Sequence, residues 1–146
     1  MKYWEQCEKE IERYRYTRRA TLPIAGEVSY ASQYPPCLQL LLPRIVKDLN
    51  NQTERLDLTV VFRSNDAVNA FPMNAFAISM MQKQLAEKHG VDCGELLYIA
   101  NSFHCYHKDL DKLRAYVRRW KNAENSSDYG YSMAELTRYS INESEK

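Results

Sequence analysis

Two stretches of the chain gather side chains suited to an anion and a flat heterocycle. Arg63-Ser64-Asn65-Asp66 sets a guanidinium beside a hydroxyl, and Asn74 follows eight residues after the aspartate in Phe71-Pro72-Met73-Asn74. The planar fork of a guanidinium makes charge-assisted bonds to oxyanions, so Arg63 with Ser64 suits a phosphate. An amide at a helix start, such as Asn74, both donates and accepts and can read the edge of a heterocycle. Upstream, Cys37 follows Pro35-Pro36, and downstream lies His104-Cys105-Tyr106. A thiolate is a nucleophile, and a neighbouring guanidinium would lower the thiol pKa and raise its ionised fraction. Together these residues predict a nucleotide site with a cysteine nucleophile.

Each element also has a plainer reading. Cys37 alone fits a small buried hydrophobe at a strand start. Arg18-Arg19, a second basic pair, fits solvated charge against the negative end of a helix. Arg63 is harder to dismiss, because it ends an apolar strand where a charge needs a partner. His104 and Tyr106 stand two apart near a strand end and point to one side, where they suit sugar hydroxyls or, for His104, acid–base work. Alone, such a pair is more often structural. His89 and His107 read as surface residues, and Met80-Met81 as core packing.

The elements that must position these residues are legible as an α+β mixture. Trp4, Cys7, Ile11 and Tyr14 fall at helical spacing and predict a helix over 3–16. A strand is expected within 24–31, then an extended approach through Tyr34-Pro35-Pro36 to Cys37. The apolar run 38–46 predicts a buried strand, with Pro43 marking an edge, bulge or bend, and Asp48–Asn51 the turn of a hairpin. Leu56, Leu58, Val60 and Phe62 alternate with Asp57, Thr59, Val61 and Arg63 and predict the return strand, so that Arg63 leaves on the face opposite the leucines. Pro72 opens a helix to Lys88, stopped by Gly90, with Phe76, Met80 and Leu85 at its apolar positions. A further strand at 96–100 carries on towards Tyr106, and a last helix covers about 108–121. The expected organisation is a domain over 1–122, with a linker and tail over 123–146.

With 146 residues, 45% of them hydrophobic, the chain can bury the core of one domain. A net charge of +1 argues against a protein that coats nucleic acid, so no direct nucleic-acid binding is expected. Cysteines at 7, 37, 93 and 105 have neither CxxC nor finger spacing, which predicts no metal site. Reduced thiols in a cytoplasm, with no secretory signal and no membrane span, are the expectation.

The order Arg18-Arg19, Pro36-Cys37, Arg63-Ser64-x-Asp66, Pro72-x-Asn74 and His104-x-Tyr106 resembles the thymidylate synthase family, which includes the pyrimidine nucleotide hydroxymethylases. Five short motifs in one order make a specific match; each alone is weak. The resemblance implies a mixed sheet flanked by helices and a dimer that packs its sheets face to face. It implies that Cys37 adds to C6 of a pyrimidine deoxynucleotide and that 5,10-methylenetetrahydrofolate supplies the one-carbon unit to C5. Arg63 and Ser64 would hold the phosphate, Arg18 and Arg19 would reach the phosphate of the neighbouring subunit's site, and Asp66 would lie between pyrimidine and folate. Asn74 would pair with the pyrimidine edge, and His104 and Tyr106 would hold the sugar 3′-hydroxyl. An amide at position 74 suits uracil, where a carboxylate would favour cytosine, so dUMP is the favoured substrate.

The sequence also departs from the family pattern. Leu38 replaces the usual histidine after the cysteine, Phe62 the glutamine before the arginine, and Ala70 a glycine at the folate side. The family's long segment before its arginine pair and its closing C-terminal segment have no counterpart in these 146 residues. The resemblance is therefore fuller for the nucleotide than for the folate. Two further readings follow, a nucleotide-binding or partner-binding subunit with reduced catalysis, and a site completed by a second polypeptide.

Overall fold

A computed structural model describes residues 2–26 and 31–123. In chain order these form helix α1 (Lys2–Arg13), strands β1 (Leu22–Pro23), β2 (Leu38–Lys47), β3 (Glu54–Phe62) and β4 (Asn65–Asp66), and helix α2 (Phe71–His89). Strands β5 (Asp92–Ala100) and β6 (Phe103–His104), a 3-10 turn (His107–Asp109) and helix α3 (Leu110–Ala123) follow. The chain divides into two compact units, Met1–Tyr106 and His107–Lys146. The first holds the sheet, α1 and α2; the described part of the second is the 3-10 turn and α3. The architecture is the mixed α+β fold that the motifs imply. None of the described helices is long and apolar enough to cross a membrane.

The main sheet runs β1-β2-β3-β5, with β2 and β3 antiparallel and β3 and β5 parallel. Strict alternation in β3 buries Leu56, Leu58, Val60 and Phe62 on one face, where they meet Leu41 and Ile45 of β2. Cys7 and Ile11 of α1 and Ile78, Leu85 and Ala86 of α2 close this core. Each fully buried aliphatic chain such as Leu56 or Val60 contributes about 1.5–3 kcal/mol. The opposite face of the sheet stays apolar in its middle. Leu97 and Ile99 of β5 are 56% and 42% exposed there, in register with Thr59 and Val61 of β3 and, through them, Leu42 and Leu40 of β2.

The parallel pairing slips between Leu56 and Leu58, where Gly94 and Glu95 bulge outwards against β3. Glycine is required at the bulge, since a Cβ at position 94 would lie 2.0 Å from Asp57 Oδ1 and 3.0 Å from the Leu56 carbonyl oxygen. Asp57 Oδ1 accepts from Glu95 N at 2.8 Å and from Arg55 Nε at 2.9 Å, pinning the bulge from outside. From inside, the buried Gln82 of α2 donates Nε2 to the carbonyls of Leu56, Gly94 and Glu95 at 2.8, 3.3 and 3.2 Å. A slipped ladder leaves carbonyls without strand partners, and buried carbonyls must be satisfied. Gln82 therefore anchors α2 to the register that places Asn74.

Several elements differ from the sequence reading in ways that have physical causes. Helix α1 stops at Arg13, because Thr17 N bonds to the Tyr14 carbonyl at 2.9 Å in a tight turn, leaving Tyr14 exposed. Pro43 lies inside β2 without a bulge; β1 pairs only with Leu40 and Leu41, so no strand flanks Pro43 on that side to need its missing N–H. The irregularity falls between Leu38 and Leu40 instead. Along α2 the buried face is Ile78, Gln82, Leu85 and Ala86, while Phe76 and Met80 are exposed and only Met81 of the methionine pair packs on the core. The helix ends where expected, at Gly90 with φ of 62°. His89 is half-buried, not a surface residue: burial first, then the Lys88 charge, lowers its pKa, and its Nε2 is buried without a partner among the described residues. The described part of 24–31 contains no strand; the short strand lies just before it at Leu22–Pro23, pairing with Leu40 and Leu41, and residues 27–30, like the linker and tail from 124 onwards, lie outside the described residues. The domain boundary expected after 122 falls at the end of the described part.

Replacing Gln82 by leucine keeps the volume and removes the donor to three carbonyls. We expect the variant to lose about 1–3 kcal/mol in urea unfolding, the cost of a buried acceptor left unsatisfied; a change within about 0.5 kcal/mol, the usual range of a neutral substitution, would contradict this role.

Candidate functional site

The β2–β3 register carries the thiol and the guanidinium to the same end of the sheet. Arg63 N donates to the Cys37 carbonyl at 2.9 Å, continuing the ladder one step beyond Leu38 and Phe62. The Arg63 side chain turns back over the same loop, donating Nε to the Pro36 carbonyl at 3.1 Å and Nη2 to the Pro35 carbonyl at 2.7 Å. Gln39 Nε2 donates to the Pro36 carbonyl from the other side at 2.6 Å. One residue thus holds three consecutive carbonyls of the segment that ends in Cys37. A guanidinium has five N–H donors; with two given to Pro35 and Pro36, three remain for an anion.

Cys37 is exposed, which removes the reading of it as a buried hydrophobe. Cys7 is the buried thiol, pushed up to about 11 by burial and then by the Glu8 charge, and so is held in its unreactive form. Cys93 is exposed on β5, and Cys105 donates Sγ to the Tyr106 carbonyl at 3.3 Å.

A short parallel ribbon brings the second group together. Strands β4 and β6 pair Asn65 with Phe103 and Asp66 with His104, closed by Asn65 N to the Ser102 carbonyl and Ala67 N to the His104 carbonyl, both 2.8 Å. The ribbon sets Ser64 Oγ 3.4 Å from His104 Nδ1, and the His104 and Tyr106 rings meet edge to face at 5.1 Å. A hydroxyl and an imidazole at this spacing can hold an oxyanion or a sugar hydroxyl between them. Asp66 is committed to the turn that follows: Oδ1 accepts from Val68 N at 2.9 Å and Asn69 N at 3.3 Å, and Oδ2 from Asn69 Nδ2 at 2.8 Å. Burial pushes its carboxyl up, but the Asn69 amide, the two backbone N–H groups and nearby His104 outweigh this and hold it below the usual carboxylate range.

Asn74 sits in the first turn of α2, its N–H bonded to the Ala70 carbonyl at 2.9 Å. Its Nδ2 donates to Asn65 Oδ1 at 3.2 Å, and Asn65 Nδ2 donates to Tyr98 Oη. Sequence reasoning passed over both Asn65 and Tyr98. The available signal was Tyr98 at a core-facing position of β5, since a buried phenol needs a polar partner. Arg18 and Arg19 lie apart: no hydrogen bond or ion pair among the described residues joins them to the other candidates. They line a hollow of about 430 Å³ with Glu10, Arg13, Tyr14 and Thr17. Thr17 orders their backbone, its Oγ1 accepting from Arg19 N and donating to Glu10 Oε1, both at 3.0 Å.

The structure therefore defines an α+β protein with an exposed thiol, an arginine over the thiol's loop, and a serine, histidine, tyrosine and asparagine grouped around two strand ends. The chain belongs to the thymidylate synthase family, whose model matches residues 4–142. It is 30% identical over 122 residues to a protein of Methanosarcina mazei named "Putative thymidylate synthase", a match covering 78% of this chain and 52% of that one. A protein of Methanocaldococcus jannaschii with the same name is 38% identical over 82 residues, covering 56% and 34% of the two chains. Thymidylate synthase 1 of Bacillus spizizenii is 25% identical over 100 residues, covering 63% and 36%. The chain spans about half the length of the Methanosarcina mazei relative.

The lowered Asp66 carboxyl gives a signed pH dependence. Its contribution to stability is complete above the unfolded aspartate value of about 3.9 and is lost as pH falls through the lower folded value. Asp66→Asn is therefore expected to be less stable than wild type at neutral pH, with the gap in urea midpoint closing as pH drops below about 4; a gap that stays constant to pH 2 would contradict this.

Proposed function

We propose that the chain is a thymidylate synthase-like transferase that moves a one-carbon unit to C5 of a pyrimidine deoxynucleotide, with dUMP its substrate. The observation that carries this reading is the Arg63 clamp, which fixes the Cys37 segment and keeps three donors for a phosphate. In this reading Arg63 and Ser64 hold the 5′-phosphate, His104 and Tyr106 the 3′-hydroxyl, and Asn74 the pyrimidine edge. Cys37 Sγ adds to C6, which moves electron density to C5 and makes an unreactive carbon a nucleophile.

5,10-Methylenetetrahydrofolate would supply the one-carbon unit. Asp66 uses its carboxylate within the 66–69 turn, and its carbonyl accepts from Ala70 N at 3.2 Å, so its role towards that cofactor would fall to its backbone N–H. The apolar outer face around Leu97 and Ile99 fits a second copy packed sheet to sheet. Such a dimer gives Arg18 and Arg19 a role in the neighbouring site, which would explain why they stand apart from their own chain's thiol. The four cysteines form no disulfide among the described residues, which fits a reducing cytoplasm.

A second reading is nucleotide binding without turnover. It is favoured by Phe62, which stands where the family has glutamine and is buried against Tyr98, offering no polar group to the site. Tritium release from dUMP labelled at C5 separates the two. Release by wild type with added folate cofactor, and none above background by folded Cys37→Ala, is the expected result. Nucleotide binding without release would support the second reading and sink the first.

A further inference from the structure

Gln39 stands two residues after the thiol, at a break in the strand ladder. The β2–β3 register passes from Leu38 opposite Phe62 to Leu40 opposite Val61, so Gln39 is the extra residue of a bulge. A bulge re-aims side chains, and that of Gln39 turns back along the chain to donate Nε2 to the Pro36 carbonyl at 2.6 Å. The two ends of the amide are not interchangeable here, since its oxygen would face a carbonyl oxygen. The backbone from which it reaches is itself tied down, because the Gln39 carbonyl accepts from Ile24 N at 2.9 Å.

The Pro36 carbonyl belongs to the peptide group that leads into Cys37. The carbonyl that leaves Cys37 accepts from Arg63 N at 2.9 Å. Two peptide planes therefore flank the thiol-bearing carbon, and both are held. A carbonyl oxygen has two lone pairs; at Pro36 one meets Gln39 Nε2 at 2.6 Å and the other Arg63 Nε at 3.1 Å. The arginine bond is the longer of the two and the charged one. An anion on the remaining donors of Arg63 draws the guanidinium towards itself. The half-buried Gln39 amide has no net charge for an anion to draw.

We propose that Gln39 is a positioning residue for Cys37, holding the Pro36–Cys37 peptide still while Arg63 engages an anion. The inference rests on the reading of Cys37 as the nucleophile and Arg63 as the phosphate holder. The role needs no contact between Gln39 and the ligand.

Gln39→Met in the full chain keeps an unbranched side chain and removes the donor. Tritium release at saturating labelled dUMP, with the folate cofactor added, is expected to fall about fivefold, the size of one lost hydrogen bond. Calorimetric affinity for dUMP should stay within about twofold of wild type. A parallel fall in release and affinity, or unchanged release, overturns the proposal.

A second arm needs no turnover. Alkylation by iodoacetamide is followed at Cys37 by peptide mass spectrometry, with and without inorganic phosphate, and exposed Cys93 serves as the internal reference. In Gln39→Met the Pro36 carbonyl and the phosphate compete for Arg63, so phosphate should change the Cys37 rate about threefold more than in wild type. An equal response of the two proteins overturns the proposal. If wild type releases no tritium, the transferase reading fails and this arm alone decides the role of Gln39. Gln39→Leu replaces Gln39→Met if that variant does not fold; failure of both to fold would make Gln39 a structural residue and overturn the proposal.

Discussion

The arrangement depends on one residue that ends a strand and holds a loop at the same time. Arg63 continues the β2–β3 ladder with its N–H to Cys37 and grips Pro35 and Pro36 with its guanidinium. The Pro35 and Pro36 carbonyls precede β2, and side-chain donors serve them in place of a strand ladder. A guanidinium suits them because its donors are fixed in a fork and its charge is always present. Hydrogen bonds to a charged group are worth about 1.5–3 kcal/mol when sheltered and less at an exposed position such as this. Their main effect is therefore positional. They fix the backbone that carries the thiol under a cation that still has donors to give.

Behind that clamp, two buried amides stand where the ladder is interrupted. Gln82 answers the carbonyls of the β3–β5 bulge, and Asn65 links the β4–β6 ribbon to Tyr98 and Asn74. Each is 4% exposed or less, so a missing partner would leave a desolvated group in the interior. The apolar core sets where α2 lies against the sheet. These amides set its register to within a single hydrogen bond. A fold held by burial alone would tolerate small slips that a site cannot.

Much of this was legible in the sequence, and the reasons differ by element. The β3 alternation, the Gly90 stop and the hairpin turn were readable because period and turn chemistry are local. The grouping of Ser64 with His104, and of Cys37 with Arg63, was readable through the ordered motifs, while Arg18 and Arg19 were placed in the same set on resemblance and stand apart within the chain. The end of α1 at Arg13 was not readable, since Tyr14 keeps the helical spacing and the Thr17 turn decides the matter. Nor was the exposed Phe76, because the helix faces the sheet through Gln82, a polar residue no apolar stripe would include. Tyr98 and Asn65 were missed for a related reason: their bond joins positions 33 apart in sequence, and neither residue type announces it.

A crystal structure of the chain with dUMP tests the central claim most directly, because it reads the loop, the clamp and the ligand together. The expected result is a nucleotide with C6 against Cys37 Sγ, its phosphate on Arg63 and Ser64, and the Arg63 bonds to Pro35 and Pro36 still in place. A nucleotide seated away from Cys37, or an Arg63 that must release the loop to reach the phosphate, would contradict it.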